Sequence, residues 1–353
     1  MKLTSLLLIC LSLILSGCDS EPQTRQGKFF AFGTEIDVSL YDVDEEIANN
    51  TISVLEQSFS SVNDDWHAWQ PSTLTTINKA ISEGQAISIE DDTAQLINLA
   101  KALASDSQHL FNPAAGRLFE LWGFHQDNWF ESHPPPNDSD IATWLDNTPT
   151  MNDIQIINGE LSSSNRSAKL GFGGFAKGFA VDTAIEALKQ QGITNAIVNI
   201  GGDLRAIGSH GKRPWIIGIR HPRQNGMVAS IALKGNESVF TSGDYERFFQ
   251  YEGKRYAHII DPRTGRPADK ATSVTVLHSN ASIADAAATA LFVAGNDWPK
   301  IAAAMKIDRV MLVRPDGQIE LSPLMEDRVR LIGNTKPAII RTDYLPAKDS
   351  SQP

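Results

Sequence analysis

The chain has 353 residues, 41% hydrophobic and 21% charged, with 42 acidic against 31 basic side chains and a formal net charge of −11. That acidity argues against a nucleic-acid partner and means that any phosphate-rich ligand must be met by local cations or a metal. The two cysteines, Cys10 and Cys18, both lie near the N-terminus, so the body of the chain has no disulfide, thiolate–metal or cysteine-nucleophile chemistry available.

In chain order, Lys2 is followed by the apolar run Leu6 to Leu15 and by Leu15-Ser16-Gly17-Cys18. This is the pattern of a signal peptide over residues 1–17 that ends in a lipobox. The apolar run is too short to cross a bilayer, which takes roughly 20 residues. Cleavage before Cys18 removes Lys2 and no acid, leaving 30 basic against 42 acidic residues and a charge of −12. Lipidation of Cys18 would attach the protein to a membrane without spanning it. Asp19 resembles the signal that retains bacterial lipoproteins at the inner membrane, so the periplasmic face of that membrane is the expected location. Residues 18–27 read as a tether, 28–335 as one large folded unit and 336–353 as a C-terminal tail.

Phe29 to Tyr41 alternates like a strand broken at Gly33, and Glu45 to Val62 has helical apolar spacing in Ile47, Val54, Leu55, Phe59 and Val62. A second helix is predicted over Asp91 to Ser107, and His133 to Asp138 reads as a surface loop. Phe175, Phe179, Val181, Ile185 and Leu188 predict a helix that Gly192 stops. A short buried strand, Asn195 to Ile200, then turns at Gly201-Gly202-Asp203. Strands are predicted at Trp215–Arg220, Met227–Leu233, Arg247–Tyr251 and Arg255–Ile260, with Phe240 to Tyr245 as a polar turn between strands. The strand Ser273 to Leu277 leads into an alanine-rich helix, Ala281 to Val293. Helices mixed with antiparallel strands make an α+β fold, antiparallel sheets packed with helices in one compact unit.

Three segments carry chemistry. Asp285 and Thr289 are one helical turn apart, so a carboxylate and a hydroxyl share a face, both hard oxygen donors suited to magnesium. Taken alone, the pair fits an ordinary capping or solvated pair better. Gly171 to Gly178 opens a helix with glycines and Lys177, which suits an anion or, equally, close helix-to-sheet packing. His258, at the end of a hairpin strand, is of a type that can take a proton from a hydroxyl, although a lone strand histidine is more often a packed or surface residue.

In this order the segments resemble the ApbE family of FAD:protein FMN transferases. The resemblance rests on Phe32-Gly33-Thr34, Asn112 to Gly116 with Leu121 to Phe124, Gly173 to Asp182, Asn199 to Asp203, Thr241 to Tyr245, His258 to Gly265 and Ala284-Asp285 to Leu291. It implies an ApbE-like fold and metal-dependent transfer of FMN from FAD to a threonine of a partner protein, with release of AMP. The metal, Mg2+ or a similar divalent cation, would be held by the main-chain oxygens of Gly174 and Ala288 and the side chains of Asp285 and Thr289. FAD would meet Phe32, Trp69, Leu110, Phe111, Asn112, Gly171, Lys177 and Ile259, and His258 would help deprotonate the acceptor threonine. The acceptor implied is a protein with a periplasm-facing threonine, such as a subunit of a sodium-pumping NADH:quinone reductase or an Rnf-type complex.

The chain departs from the family pattern at three positions. Gly171-Phe172-Gly173-Gly174 stands where Asp-Leu-Gly-Gly is usual, Asn112 where aspartate is frequent, and Phe32 where methionine is common. The other readings these residues leave are FAD hydrolysis to FMN and AMP, and a non-catalytic FAD-binding lipoprotein.

Overall fold

The computed structural model describes residues 23–333 and 336–345. The expected signal segment 1–17 and the lipidation position Cys18 lie outside the described residues.

Phe32 and Gly33 both have positive φ, 54° and 71°, the combination that lets a two-residue type I′ turn follow the twist of its strands. Strands Thr24–Ala31 and Thr34–Tyr41 therefore pair as a hairpin, Ala31 opposite Thr34. The single interrupted strand expected over Phe29 to Tyr41 is thus two antiparallel strands. The first starts inside the tether expected at 18–27, because Thr24 to Gly27 pair with Tyr41 to Val38. In the same way Ala338–Ile339, within the expected tail 336–353, pairs in parallel with Ile319–Leu321.

This hairpin forms one edge of a nine-stranded sheet in which neighbours in space follow chain order. After Thr34–Tyr41 come Ala196–Ile200, Asp203–Ile207, Glu237–Gly243, Ser273–His278, Val310–Val313, Ile319–Leu321 and Ala338–Ile339. The polar turn expected over Phe240 to Tyr245 is instead largely strand, Glu237–Gly243, at the centre of the sheet. Thr241 and Ser242 are accommodated there because they lie opposite Thr275 and Val274, and the Thr241 and Thr275 hydroxyls pair at 2.9 Å.

Period-two alternation assigns the layers. Val310 and Leu312 face the main core, whereas Met311 and Val313 face a second one. The main core is covered by helices Glu45–Asp65, Ala176–Gln190 and Ala281–Ala294. The second core lies under a small sheet of Ile216–Arg220, Met227–Ala232 and Val329–Leu331. A third cluster, Leu118, Trp122, Phe124, Ile141, Trp144, Phe249 and Ile260, supports the segment that carries His258. The fold is α+β, as expected.

Helix Glu45–Asp65 starts at Asp44, whose carboxylate accepts from the Glu46 and Ile47 amides at 2.9 and 3.3 Å. Its buried track is Ala48, Thr51, Leu55 and Phe59. Ile47 and Val54, expected on that face, stay exposed because they fall one position off the track. Helix Ala281–Ala294 is buried almost all round, which only small side chains permit at this density. Where it crosses helix Ala176–Gln190, a Cβ on Gly178 would lie 2.4 Å from the Ala281 carbonyl oxygen, so the backbones meet there with no room for a side chain.

Candidate active site

The crossing of these two helices fixes the reactive residues. Lys177 lies in the first turn of helix Ala176–Gln190, and Asp285 and Thr289 lie on the facing side of helix Ala281–Ala294. The Gly178 amide donates to Asp285 Oδ2 at 2.9 Å, joining the helices at the residue that lets them approach. Asp182 secures the other end of the contact. It accepts from the Ala281 and Ser282 amides at 2.8 and 2.9 Å, from Ser282 Oγ at 2.7 Å and from Arg205 Nη1 at 2.5 Å. The start of the second helix is therefore clamped to the first by one carboxylate, together with the Asn280 cap on Ile283 N.

The sheet supplies two further groups. Asp203, just after the Gly201-Gly202 turn, pairs with Lys177 through Oδ2 and accepts from Thr241 N at 2.8 Å through Oδ1. Ser242 Oγ lies 3.2 Å from Thr289 Oγ1. Burial pulls Lys177 down, but the carboxylates of Asp203 and Asp285 more than offset this, so its pKa is raised and it stays a cation. Burial pushes Asp285 up to about 7, against the pull of Lys177.

A hard divalent cation fits this donor set. Asp285 takes its hydrogen bond through Oδ2, so among the described residues Oδ1 is left with a lone pair to give. A Cβ on Gly174 would stand 3.6 Å from Thr289 Oγ1, so the Gly174 main chain lies beside that hydroxyl. Ala288 is mid-helix, where its carbonyl bonds within the helix ladder and retains only a second lone pair. No group of three or more His, Cys, Asp or Glu side chains among the described residues could hold a metal. A cation here would therefore depend on hydroxyl and main-chain oxygens.

His258 lies apart from this cluster, on the segment between strands Lys254–Ala257 and Ile260–Asp261. The Arg247 carbonyl is 3.0 Å from His258 N and 3.1 Å from Nδ1. Accepting from both fixes the tautomer with the proton on Nδ1 and leaves Nε2 as a free base. Burial, reinforced by the charges of Arg247 and Lys177, lowers its pKa to about 3, so the imidazole is neutral throughout the physiological range.

The predicted flavin residues fall into three groups. Trp69 stacks on His125 with ring centroids 5.9 Å apart and donates from Nε1 to Asp127 at 2.8 Å. A Cβ on Gly171 would be 3.8 Å from His125 Cε1, so Trp69 and Gly171 meet through a histidine that the motifs did not single out. Phe32 sits at the hairpin turn, its amide held by Asn63 Oδ1 at 2.9 Å and its ring edge-on to Phe59. Leu110, Phe111 and Ile259 are buried. Phe111 packs against Phe175 and under Gly174. The Asn112 side chain is already occupied, donating to the Pro149 carbonyl at 2.9 Å and accepting from Ala114 N at 3.1 Å. Asp182, Asp203 and Ser242 had no predicted role, although all three lie within the motif runs Gly173 to Asp182, Asn199 to Asp203 and Thr241 to Tyr245.

The model of the ApbE family matches residues 32–311, a span that contains every predicted flavin and metal residue. The chain belongs to the ApbE family. Similar ApbE proteins include the FAD:protein FMN transferase of Rhodobacter capsulatus, 40% identical over 329 residues, which cover 92% of this chain and 62% of that protein. The chain thus spans less than two thirds of that relative. One from Klebsiella pneumoniae (strain 342) is 32% identical over 271 residues, 74% of this chain and 79% of that protein. Among solved structures, the ApbE protein of Thermotoga maritima superposes with a TM-score of 0.79 at 33% identity, covering 87% of this chain and all of that one. The flavin transferase ApbE of Vibrio cholerae gives a TM-score of 0.75 at 25% identity, covering 87% and 99%.

Proposed function

We propose that this protein is an FAD:protein FMN transferase that moves FMN from FAD onto a threonine hydroxyl of a partner protein and releases AMP. The observation that carries the proposal is the arrangement of a neutral His258, with Nε2 free, and a separate Lys177–Asp203–Asp285–Thr289 cluster in one family member. The first is a base for a hydroxyl, and the second is a charged cradle for a pyrophosphate.

In the reaction, the threonine oxygen attacks the FMN phosphorus and the bond to the AMP phosphate oxygen breaks. His258 Nε2 accepts the hydroxyl proton, and the Arg247 carbonyl stabilises the imidazolium through Nδ1–H. Lys177 offsets negative charge on the phosphoryl oxygens, held in place by Asp203. Asp285 and Thr289, with the main-chain oxygens of Gly174 and Ala288, would hold Mg2+ or a similar divalent cation. When bound, such an ion supplies further charge neutralisation to the pyrophosphate. Phe32, Trp69, Gly171, Ile259 and the Leu110–Asn112 main chain line the proposed flavin-nucleotide site.

Placement of the protein is part of the same proposal. Its basis is the sequence at Leu15 to Asp19, read as lipidation at Cys18 and retention at the periplasmic face of the inner membrane. No helix among the described residues is long and apolar enough to cross a membrane. The acceptor would then be a threonine facing the periplasm, on a subunit of a sodium-pumping NADH:quinone reductase or an Rnf-type complex.

The test is to incubate the protein with FAD, Mg2+ and such an acceptor domain and to read the acceptor's intact mass. A gain of one FMN residue, abolished by chelator and by Asp285→Ala, supports the transferase. FAD cleaved to FMN and AMP without a mass gain would replace it with a hydrolase, and FAD bound but intact with a carrier.

A further inference from the structure

Among the described residues Arg247 is a cation in direct contact with no anion. Its guanidinium lies over the Trp129 ring, 5.8 Å from the centroid, and its Nη2 is 3.6 Å from where a Cβ on Gly33 would stand. It therefore spans the gap between the Phe32-Gly33 turn and the aromatic loop that follows Phe124. Among the described residues its side chain makes no hydrogen bond or ion pair. Other arginines are held differently: Arg205 by Asp182, Arg263 by Asp261, Arg314 by Glu320 and Arg328 by Glu237. Glu246 is near enough to act on Arg247 through its charge but does not contact it. Burial depresses the arginine's pKa, and the charge of Glu246 only partly offsets this. Removing such a charge from water is costly unless an anion with good geometry replaces the lost hydration.

Position identifies the anion. The same residue's carbonyl grips both His258 N and Nδ1, so the guanidinium is tied by its own backbone to the proposed base, on the flavin side marked by Phe32.

We infer that Arg247 is an anion-binding residue that recognises a phosphate of the flavin nucleotide, pairing its planar fork with phosphoryl oxygens beside His258. Such a pair is bidentate and directional in a way that a lysine cannot reproduce. The inference rests on the FMN-transferase reading, and it adds a third charged contact to Lys177 and the metal ligands.

The experiment measures the affinity of the full chain in detergent for FAD, FMN and riboflavin, by fluorescence and by competition, for wild type, Arg247→Gln, Arg247→Lys and Arg247→Ala. Arg247→Gln should weaken FAD and FMN by roughly tenfold to a hundredfold, the range for a charge-assisted hydrogen bond, and leave riboflavin within about twofold. Arg247→Lys should recover only part of the loss, and added guanidinium ion should restore FAD binding to Arg247→Ala. Equal losses for riboflavin and FAD would overturn the inference in favour of a stacking platform. Unchanged FAD affinity in a variant that melts like wild type would overturn it outright, including in favour of a contact to an acidic group on the acceptor. If wild type bound no flavin nucleotide, the transferase reading would fail first and the inference with it. Wild-type binding with an indifferent Arg247→Gln sinks the inference alone.

Discussion

Replacing Gly178 with alanine adds one methyl group at the point where two helices hold the two halves of the proposed site. The new Cβ would lie 2.4 Å from the Ala281 carbonyl oxygen, 2.7 Å from its carbon and 2.8 Å from Ser282 Cα. All three are backbone atoms that no rotamer change can clear. Relief requires the helices to part by about 1 Å, towards an ordinary contact distance. Overpacking of this kind costs about 1–3 kcal/mol, or about 2–4 °C in melting temperature per kcal/mol for a domain of this size class. The functional loss should be larger than the stability loss suggests. Lys177 moves with one helix and Asp285 and Thr289 with the other, and a displacement of about 1 Å costs about a hundredfold in rate. The assay is the single-turnover rate of acceptor flavinylation alongside a thermal melt. Gly173→Ala serves as the stability control, because a Cβ there meets nothing within 4 Å. A Gly178→Ala protein with wild-type melting and wild-type rate would refute the idea that this close approach sets the geometry.

Asp285→Asn should abolish metal-dependent flavinylation yet raise the melting temperature of the metal-free protein above about pH 7. The buried carboxylate's raised pKa means that its ionised form is the unfavourable one in the fold; a lower melting temperature for the variant would contradict this. His258 has the opposite sign. Its native pKa of about 3 lies below the ordinary 6.5, so it contributes stability above pH 6.5 that is lost as pH falls towards 3, when the unfolded chain takes up a proton that the native chain refuses. Denaturant titrations should therefore show a shallower acid destabilisation in His258→Gln than in wild type. Asp182→Ala removes the clamp on helix Ala281–Ala294 and leaves Arg205, whose side chain is 6% exposed, with only the more distant Glu186 carboxylate at 3.7 Å and Asn236. A loss of about 3–5 kcal/mol is expected by chemical denaturation.

Local periodicity made part of the site legible. Asp285 and Thr289 are four residues apart in an alanine-rich run, and Lys177 follows a glycine run that opens a helix, so each could be placed from its neighbours alone. Asp203, Ser242 and Arg247 could not. Asp203 meets Lys177 across 26 positions of sequence, and Ser242 meets Thr289 across 47, and nothing local encodes such pairings. Thr241-Ser242-Gly243-Asp244 has turn composition, which predicts a turn, but its first three residues belong to a central strand because Val239 and Phe240 fill cores on opposite faces of the sheet. Sheet neighbours outweighed residue propensity there. Helix Thr73–Glu83 is marked by its Ser72 cap, its Gly84 stop and the helical spacing of Leu74, Ile77 and Ile81. Asn112 could be aligned as a ligand contact, but the sequence did not reveal that Pro149 and Ala114 already claim its side chain.

Sequential strand order has a consequence for how the chain assembles. From Ala196 onward, each strand of the large sheet pairs with the next of that sheet's own strands along the chain, so that part can zip progressively. The hairpin Thr24–Tyr41 must instead wait for Ala196–Ile200, across the intervening segment 42–195. Closing that long loop carries an entropic cost that grows with its length and slows the pairing step. The residues made first are therefore among the last to find their place. In pulse-labelled hydrogen exchange, amides of Thr34–Tyr41 that bond to Ala196–Ile200 should gain protection after those of Ser273–His278. The Phe32-Gly33 turn would then reach its place late, making completion of the proposed flavin site a closing event of folding.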